Sequence, residues 1–192
     1  MEKKILFIDA CARKESRTRN LAEYVLSFLD GEVERLSLYQ EDAVPLDEQA
    51  LEQRENDAAN GTCEGKSIRL ARQFAAAEKI VIAAPHWDLS FPAILKAYIE
   101  NINVVGVTFA YDETGSPYSL CRAEELYFVD TAGGGILEED RYGFGYIQAL
   151  CDRFYGIRKT QAFYAECLDI VGSDPQKILQ EAKEKVAGYF RA

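Results

Sequence analysis

Short apolar runs, each followed by turn residues and then by apolar positions at helical spacing, recur along the 192-residue chain. The first run, Lys4–Asp9 with Ile5-Leu6-Phe7-Ile8 at its centre, does not alternate and predicts a strand buried on both faces. Residues 17–29 then place Leu21, Val25, Phe28 and Leu29 on one helical face, and Gly31 is positioned to end that helix. A second strand over 32–38 rests on Val33, Leu36 and Leu38, whose alternation is imperfect. Residues 39–62 are acidic and weakly patterned, and are expected to cover a sheet end as loop and short helix. A helix over 66–77 offers Ile68, Leu70, Ala71 and Phe74 for packing, and 79–84 (KIVIAA) is the clearest buried strand. Pro92 suits the first turn of a helix reaching Asn101, because its missing N–H is not needed there. A fourth strand over 126–131, a helix over 142–154 and a fifth strand over Lys159–Ala165 follow. Ser173-Asp174-Pro175 opens the last helix, capped by Ser173 or Asp174 and running to about Phe190.

Five short buried strands alternating with helices predict an α/β domain: an open, mostly parallel sheet covered on both faces. No repeat, low-complexity tract or linker interrupts the pattern, so residues 1–192 read as one domain. Such sheets bind ligands at the carboxyl ends of their strands, beside the point where strand order reverses. That rule selects three loops, 10–18, 85–91 and 131–141, after the first, third and fourth core strands.

Composition narrows the field. Hydrophobic content of 48% with 11% aromatics is that of a globular chain, and a formal charge of −10 argues against a general nucleic-acid binder or an attraction to anionic membrane. No apolar run approaches the roughly 20 residues of a membrane span, and Asp9 cuts the first run too short for a signal peptide. A cytoplasmic protein is expected. The five cysteines (Cys11, Cys63, Cys121, Cys151, Cys167) are scattered, form no CxxC pair and accompany a single histidine, so they read as free thiols and not as a zinc site.

The loop over 10–18 and the residue after it gather Arg13, Lys14, Arg17 and Arg19 in an otherwise acidic chain. It ends at a helix N-terminus, where unpaired N–H groups and the helix dipole attract an anion. Ser16 and Thr18 add hydroxyls there, and a phosphate monoester is the natural guest; Ser16 is also an ordinary N-cap. The same letters carry an alternative. Cys11, five intervening residues, Arg17 and Thr18 resemble the Cys-x5-Arg-Ser/Thr loop of low-molecular-weight tyrosine phosphatases, which implies a thiolate nucleophile at Cys11. Against that stand a loop without glycine and a carboxylate at Glu15.

The second loop, Pro85-His86-Trp87-Asp88-Leu89-Ser90-Phe91-Pro92, carries aromatics suited to a wall for a flat ligand. Ala93-Ile94-Leu95-Lys96-Ala97-Tyr98-Ile99-Glu100 and Gly106-Val107-Thr108-Phe109-Ala110-Tyr111 follow it. The succession Pro-x-aromatic, then Pro-x-x-Leu-Lys-x-Tyr-hydrophobic-Glu, then Gly-Val-Thr-Phe-x-Tyr resembles the flavodoxin-like FMN-dependent NAD(P)H:quinone oxidoreductases and azoreductases. Ser16–Thr18 fall where that family has a Ser-x-Ser phosphate contact, and Thr131-Ala132-Gly133-Gly134-Gly135 where it has a Ser-Arg-Gly-Gly flavin loop.

The resemblance implies a three-layer flavodoxin-like fold, with a five-stranded parallel sheet in the order 2-1-3-4-5 and helices on both faces. It implies that Ser16, Arg17 and Thr18 hold the FMN phosphate. Pro85, His86, Trp87, Asp88 and Leu89 would lie along the isoalloxazine, and Ala132, Gly133, Gly134 and Gly135 would meet it from the other side. Hydride from NADH or NADPH would pass in a ping-pong sequence to a small-molecule acceptor, a quinone, azo or nitroaromatic compound, within a homodimer. Phe109, Tyr111 and Tyr118 are the aromatics that the 107–120 excursion offers to a subunit contact. Departures from the pattern are Asp88 for Asn, Ala10 for Ser, and Ala132-Gly133 for Ser-Arg. Asp88 is expected to disfavour an anionic reduced flavin and so lower its potential. His86, as the only histidine and on a loop, is the candidate proton donor, expected in solvent or a substrate pocket and not in a packed core. A non-enzymatic electron carrier of the same fold, or a flavin-free binding domain, stands as a further alternative.

Overall fold

The computed structural model describes residues 3–41, 43–60, 65–136 and 142–191. Strand β1 (Lys4–Asp9) leads to α1 (Arg17–Leu26), β2 (Glu32–Ser37), α2 (Glu48–Asn60), α3 (Lys66–Ala76) and β3 (Lys79–Ala83). Then come α4 (Ala93–Ile102), a hairpin of β4 (Phe109–Tyr111) and β5 (Pro117–Ser119), β6 (Glu125–Thr131), α5 (Phe144–Leu150), β7 (Lys159–Ala165) and α6 (Pro175–Arg191). The sheet is parallel throughout in the order β2-β1-β3-β6-β7. Counted over its own five strands this is 2-1-3-4-5, the expected flavodoxin-like arrangement.

Alternating side chains of the central strands feed two cores. Ile5, Phe7, Val81, Tyr127 and Val129 pack against Leu21 and Val25 of α1 and Val186 of α6. Leu6, Ile8, Ile80, Ile82 and Phe128 pack against α3, α4 and α5 through Phe74, Leu95, Tyr98 and Ile147. Helices therefore cover both faces, and burial on both sides explains the uninterrupted apolar runs of β1, β3 and β6.

Several boundaries differ from expectation for local reasons. Helix α1 stops at Leu26, where Ser27 caps it and two tighter turns carry the chain through Phe28 and Leu29. Gly31 has φ +147°, and a Cβ there would stand 2.3 Å from the Lys3 carbonyl oxygen, so the glycine is required by the approach of the β1 and β2 starts. Pro92 is the residue before α4 and not in its first turn. The helix expected over 142–154 starts at Phe144, and its last turn widens into a π-helical turn over Cys151–Tyr155. Gly156, at φ +65°, closes that turn with an N–H to the Cys151 carbonyl at 2.7 Å. Asp174 rather than Ser173 caps α6, its Oδ1 accepting from the Gln176 and Lys177 N–H groups. Phe109 is buried against Phe154, with ring centroids 4.6 Å apart, whereas Tyr111 and Tyr118 are half exposed. Phe109 is therefore core, leaving the two tyrosines as the exposed aromatics of the hairpin.

Among the described residues no helix is long and apolar enough to cross a membrane.

Candidate functional site

The carboxyl ends of β1, β3, β6 and β7 converge on a cleft of about 140 Å³. Ser16, Arg17 and Thr18 line it from the first loop, Pro85, His86 and Trp87 from the second, and Ala132 and Gly133 from the third. Asp88, Leu89, Gly134 and Gly135 do not line it. Residues 137–141 of the third loop lie outside the described residues. Leu168 and Asp169, after β7, close the fourth side, and nothing in the sequence pattern singled them out. A larger groove of about 590 Å³ runs between β7 and α6 and reaches Glu166 and Cys167 just after β7. Volume does not choose between them; the convergence of N–H donors and loop ends selects the smaller cleft.

The first loop has no glycine, and its shape comes instead from Arg19. The guanidinium pairs with Asp9 and donates to the carbonyls of Arg13, Lys14 and Cys11 at 3.1, 2.7 and 3.0 Å. In a trans peptide the following N–H points opposite to the carbonyl, so those of Ala12, Lys14 and Glu15 face away from the guanidinium. Asp9 holds the loop from its other oxygen, which accepts from the Cys11 N–H at 2.9 Å. Ser16 is the N-cap of α1, its hydroxyl accepting from the Arg19 N–H at 3.2 Å. The first-turn N–H groups beside it suit an anion. Arg17 reaches across the cleft to Asp169 at 2.8 Å, and the buried Thr18 hydroxyl pairs with that of Thr131 at 2.6 Å. Arg17 and Thr18 thus tie the loops together as well as lining the cleft.

Cys11 does not have the environment of a nucleophile. It is 4% exposed, its thiol faces the Ala83 carbonyl, and burial above all pushes its pKa up to about 12. A thiol of that kind stays protonated near neutrality, and Arg17 is already engaged by Asp169. The phosphatase alternative fails on both counts.

The second loop turns sharply. Trp87 and Ser90 exchange N–H···O bonds of 2.9 Å each way, and the two residues between them, Asp88 and Leu89, have φ of +50° and +68°. Asp tolerates that conformation; Leu does so at a cost of roughly 1–2 kcal/mol. The turn lifts Trp87 and Leu89 into solvent, 44% and 60% exposed. Strain combined with exposed apolar groups beside a cleft is the mark of a contact surface. Phe91, in contrast, packs on the core against Tyr146.

His86 is held inward. Its N–H donates to the Thr131 carbonyl at 3.1 Å, and its Nδ1 lies 2.9 Å from Oδ2 of Asp130. The ring is largely buried while still lining the cleft, so it sits in a pocket wall instead of open solvent.

The third loop is zipped to the chain after β7. The N–H groups of Cys167, Leu168 and Asp169 donate to the carbonyls of Gly134, Ala132 and Gly133 at 2.8, 3.1 and 3.0 Å. A Cβ on Gly133 would meet the Asp169 carboxylate at 2.7 Å, so glycine permits the ion pair that closes the cleft. Asp9, Asp130 and Arg19 are the residues whose importance the sequence pattern did not reveal. An acidic residue at or next to the carboxyl end of a mostly apolar strand, as at Asp9 and Asp130, was the available signal.

Residues 3–190 match the family described as flavodoxin-like fold. The chain is 37% identical over 193 residues to FMN-dependent NADH:quinone oxidoreductase 2 of Clostridium acetobutylicum, covering 95% of each chain. It is 36% identical over 191 residues to an FMN-dependent NADH:quinone oxidoreductase of Clostridium beijerinckii, again 95% of each. Among solved structures, an FMN-dependent NADH-azoreductase from Bacillus anthracis in complex with FMN superposes with a TM-score of 0.81 at 22% identity, over 98% of both chains, a likeness of fold. A match across nearly the whole length, with relatives at this identity, means that the chain belongs to the flavodoxin-like family of FMN-dependent NADH:quinone oxidoreductases.

Proposed function

We propose that the whole chain acts as one flavodoxin-like domain that binds FMN and reduces quinone or azo acceptors with NADH or NADPH, as a homodimer. The observation that carries the reading is the meeting at one cleft of a helix N-terminus suited to an anion, the exposed Trp87 that precedes a strained turn, and the start of a glycine loop. The donor set fits the cofactor. Ser16 and the first-turn N–H groups of α1, with Arg17 and Thr18, would hold its phosphate. Pro85, His86, Trp87, Asp88 and Leu89 would form one wall for the ring, and Ala132, Gly133, Gly134 and Gly135 the other. FMN, when bound, supplies two-electron hydride transfer in two successive half-reactions, from the nicotinamide and then to a quinone, azo or nitroaromatic acceptor. The protein's part is to bind, orient and tune. Exposed Trp87 and Leu89 beside the cleft, and exposed Tyr111 and Tyr118 on the hairpin, suit subunit contacts.

The purified chain should be yellow, or become so on adding FMN, with a spectrum bleached by NADH or NADPH and restored by a quinone. A colourless preparation that cannot be reconstituted would refute the reading. Stopped-flow traces of the two half-reactions, each run without the other substrate, check the ping-pong order. Asp88 sits on the turn beside the proposed ring, where its charge opposes added negative charge. Asp88→Asn, which keeps the left-handed turn accessible, should raise the FMN midpoint potential by a few tens of millivolts in a redox titration.

A further inference from the structure

Strand β6 carries a carboxylate inside its buried run. Residues Leu126 to Thr131 are all buried, and the Asp130 side chain is 4% exposed. An ionised carboxylate at that depth is strongly disfavoured unless a cation or hydrogen bonds hold it. Oδ2 of Asp130 lies 2.9 Å from Nδ1 of His86, the single histidine of the chain. The imidazole is 12% exposed and lines the cleft beside Ser16, Thr18 and Trp87. The His86 N–H is fastened to the Thr131 carbonyl, so its backbone and its ring are both anchored on the 130–131 end of β6.

That anchoring has a chemical consequence. An ionised carboxylate only accepts hydrogen bonds, so Asp130 makes Nδ1 the permanently protonated nitrogen and Nε2 the one whose proton comes and goes. The other charged groups lining the cleft are Arg13, Glu15, Arg17 and Asp169, two of each sign, with Arg17 held by Asp169. Asp88 stands two residues further along the chain. Asp130 is paired with the ring through its Oδ2.

We propose that Asp130 is a positioning residue for His86, presenting the Nε2 proton to the oxygen of an acceptor in the cleft. The proposal rests on the quinone-reductase reading above. Reduction of a quinone to a hydroquinone adds one hydride and one proton, and the reductase reaction supplies the hydride. The Nε2–H bond breaks as the acceptor's O–H bond forms, leaving a neutral imidazole whose Nδ1–H remains on Asp130. Solvent returns a proton to Nε2 before the next turnover.

The test compares the full chain with Asp130→Asn, His86→Gln and Asp130→Glu. A single histidine makes its imidazole nitrogens unambiguous in an NMR spectrum. Asp130→Asn should move the neutral His86 ring away from the Nδ1–H tautomer, read from the 15N shifts of its two ring nitrogens. With FMN bound, its turnover on benzoquinone should fall by ~10–100-fold, the usual range for losing a general acid. Ferricyanide accepts electrons without a proton, so turnover on it should hold within about twofold, as should bleaching by NADH. His86→Gln also alters the proposed ring wall, so it is read as the ratio of quinone to ferricyanide turnover with FMN saturating, which should fall by ~10–100-fold, and Asp130→Glu should recover part of the quinone rate. An unchanged His86 tautomer in Asp130→Asn, or equal losses on the two acceptors, would overturn the proposal. Should Asp130→Asn not fold, His86→Gln still reads the acceptor split and decides alone. Failure of the cofactor reading looks different: the wild-type chain takes up no FMN, while the tautomer comparison, run without cofactor, still supports or overturns the pairing.

Discussion

Ser16→Asp should weaken FMN binding by about 100-fold or more while leaving the stability of the cofactor-free protein in place. The two effects separate because Ser16 has two roles. As the N-cap of α1 its side chain accepts from the Arg19 N–H, and aspartate caps a helix about as well as serine. As the residue at the mouth of the anion site, an aspartate puts a full negative charge where the FMN phosphate is proposed to sit. Two unit charges about 4 Å apart near a protein surface repel by roughly 4 kcal/mol before salt screening, and a 100-fold loss of affinity needs only about 2.7 kcal/mol. Quenching of FMN fluorescence on titration measures the affinity, and thermal unfolding without cofactor measures the cap. An FMN affinity that survives this substitution would place the phosphate elsewhere.

Gly31→Ala should behave in the opposite way. Gly31 lies at the amino end of β2, at the far end of the sheet from the cleft, where the Glu32 N–H bonds the Lys3 carbonyl at 2.8 Å. The methyl group of alanine would stand 2.3 Å from that same carbonyl oxygen, a backbone atom that can move only by distorting the β1–β2 pairing. Strain at φ +147° adds to the clash. Together these should lower the unfolding free energy by about 3 kcal/mol, within the usual range for overpacking and backbone strain. Urea unfolding reads the loss. FMN affinity of the folded fraction should change by less than about twofold, because a defect this far from the cleft adds independently of it. If the unfolding midpoint did not move, the close approach of the two strand starts would not constrain this residue.

Periodicity carried most of the architecture. Runs such as Ile5-Leu6-Phe7-Ile8 and Ile80-Val81-Ile82 are apolar at every position because both sheet faces are covered, and that is visible without coordinates. The three ligand loops followed from parallel topology, and the aromatic and glycine-rich patterns of 85–111 and 131–135 pointed to flavin. Residues 39–62 showed the limit of this reading. Helix α2 runs a full Glu48–Asn60 there with only Asp57 buried, and a helix with so little apolar face leaves almost no periodic signal.

What the chain's letters established, then, is the order of strands and helices, which loops meet at the carboxyl ends, and the family. They did so because burial periodicity and turn chemistry are local properties. The roles within the cleft depended on contacts between residues far apart in the chain. Arg19 counted only as one of four basic residues around the first loop and proved to be the clamp that shapes that glycine-free loop. Arg17 and Asp169 meet across 152 positions, and His86 and Asp130 across 44. Ser16, the residue on which the largest loss of FMN affinity is expected, was legible as a cap from its place before α1. Its position facing the loops after β3 and β6 came from the folding of the sheet, since only the packed strands bring those loop ends within reach of one ligand.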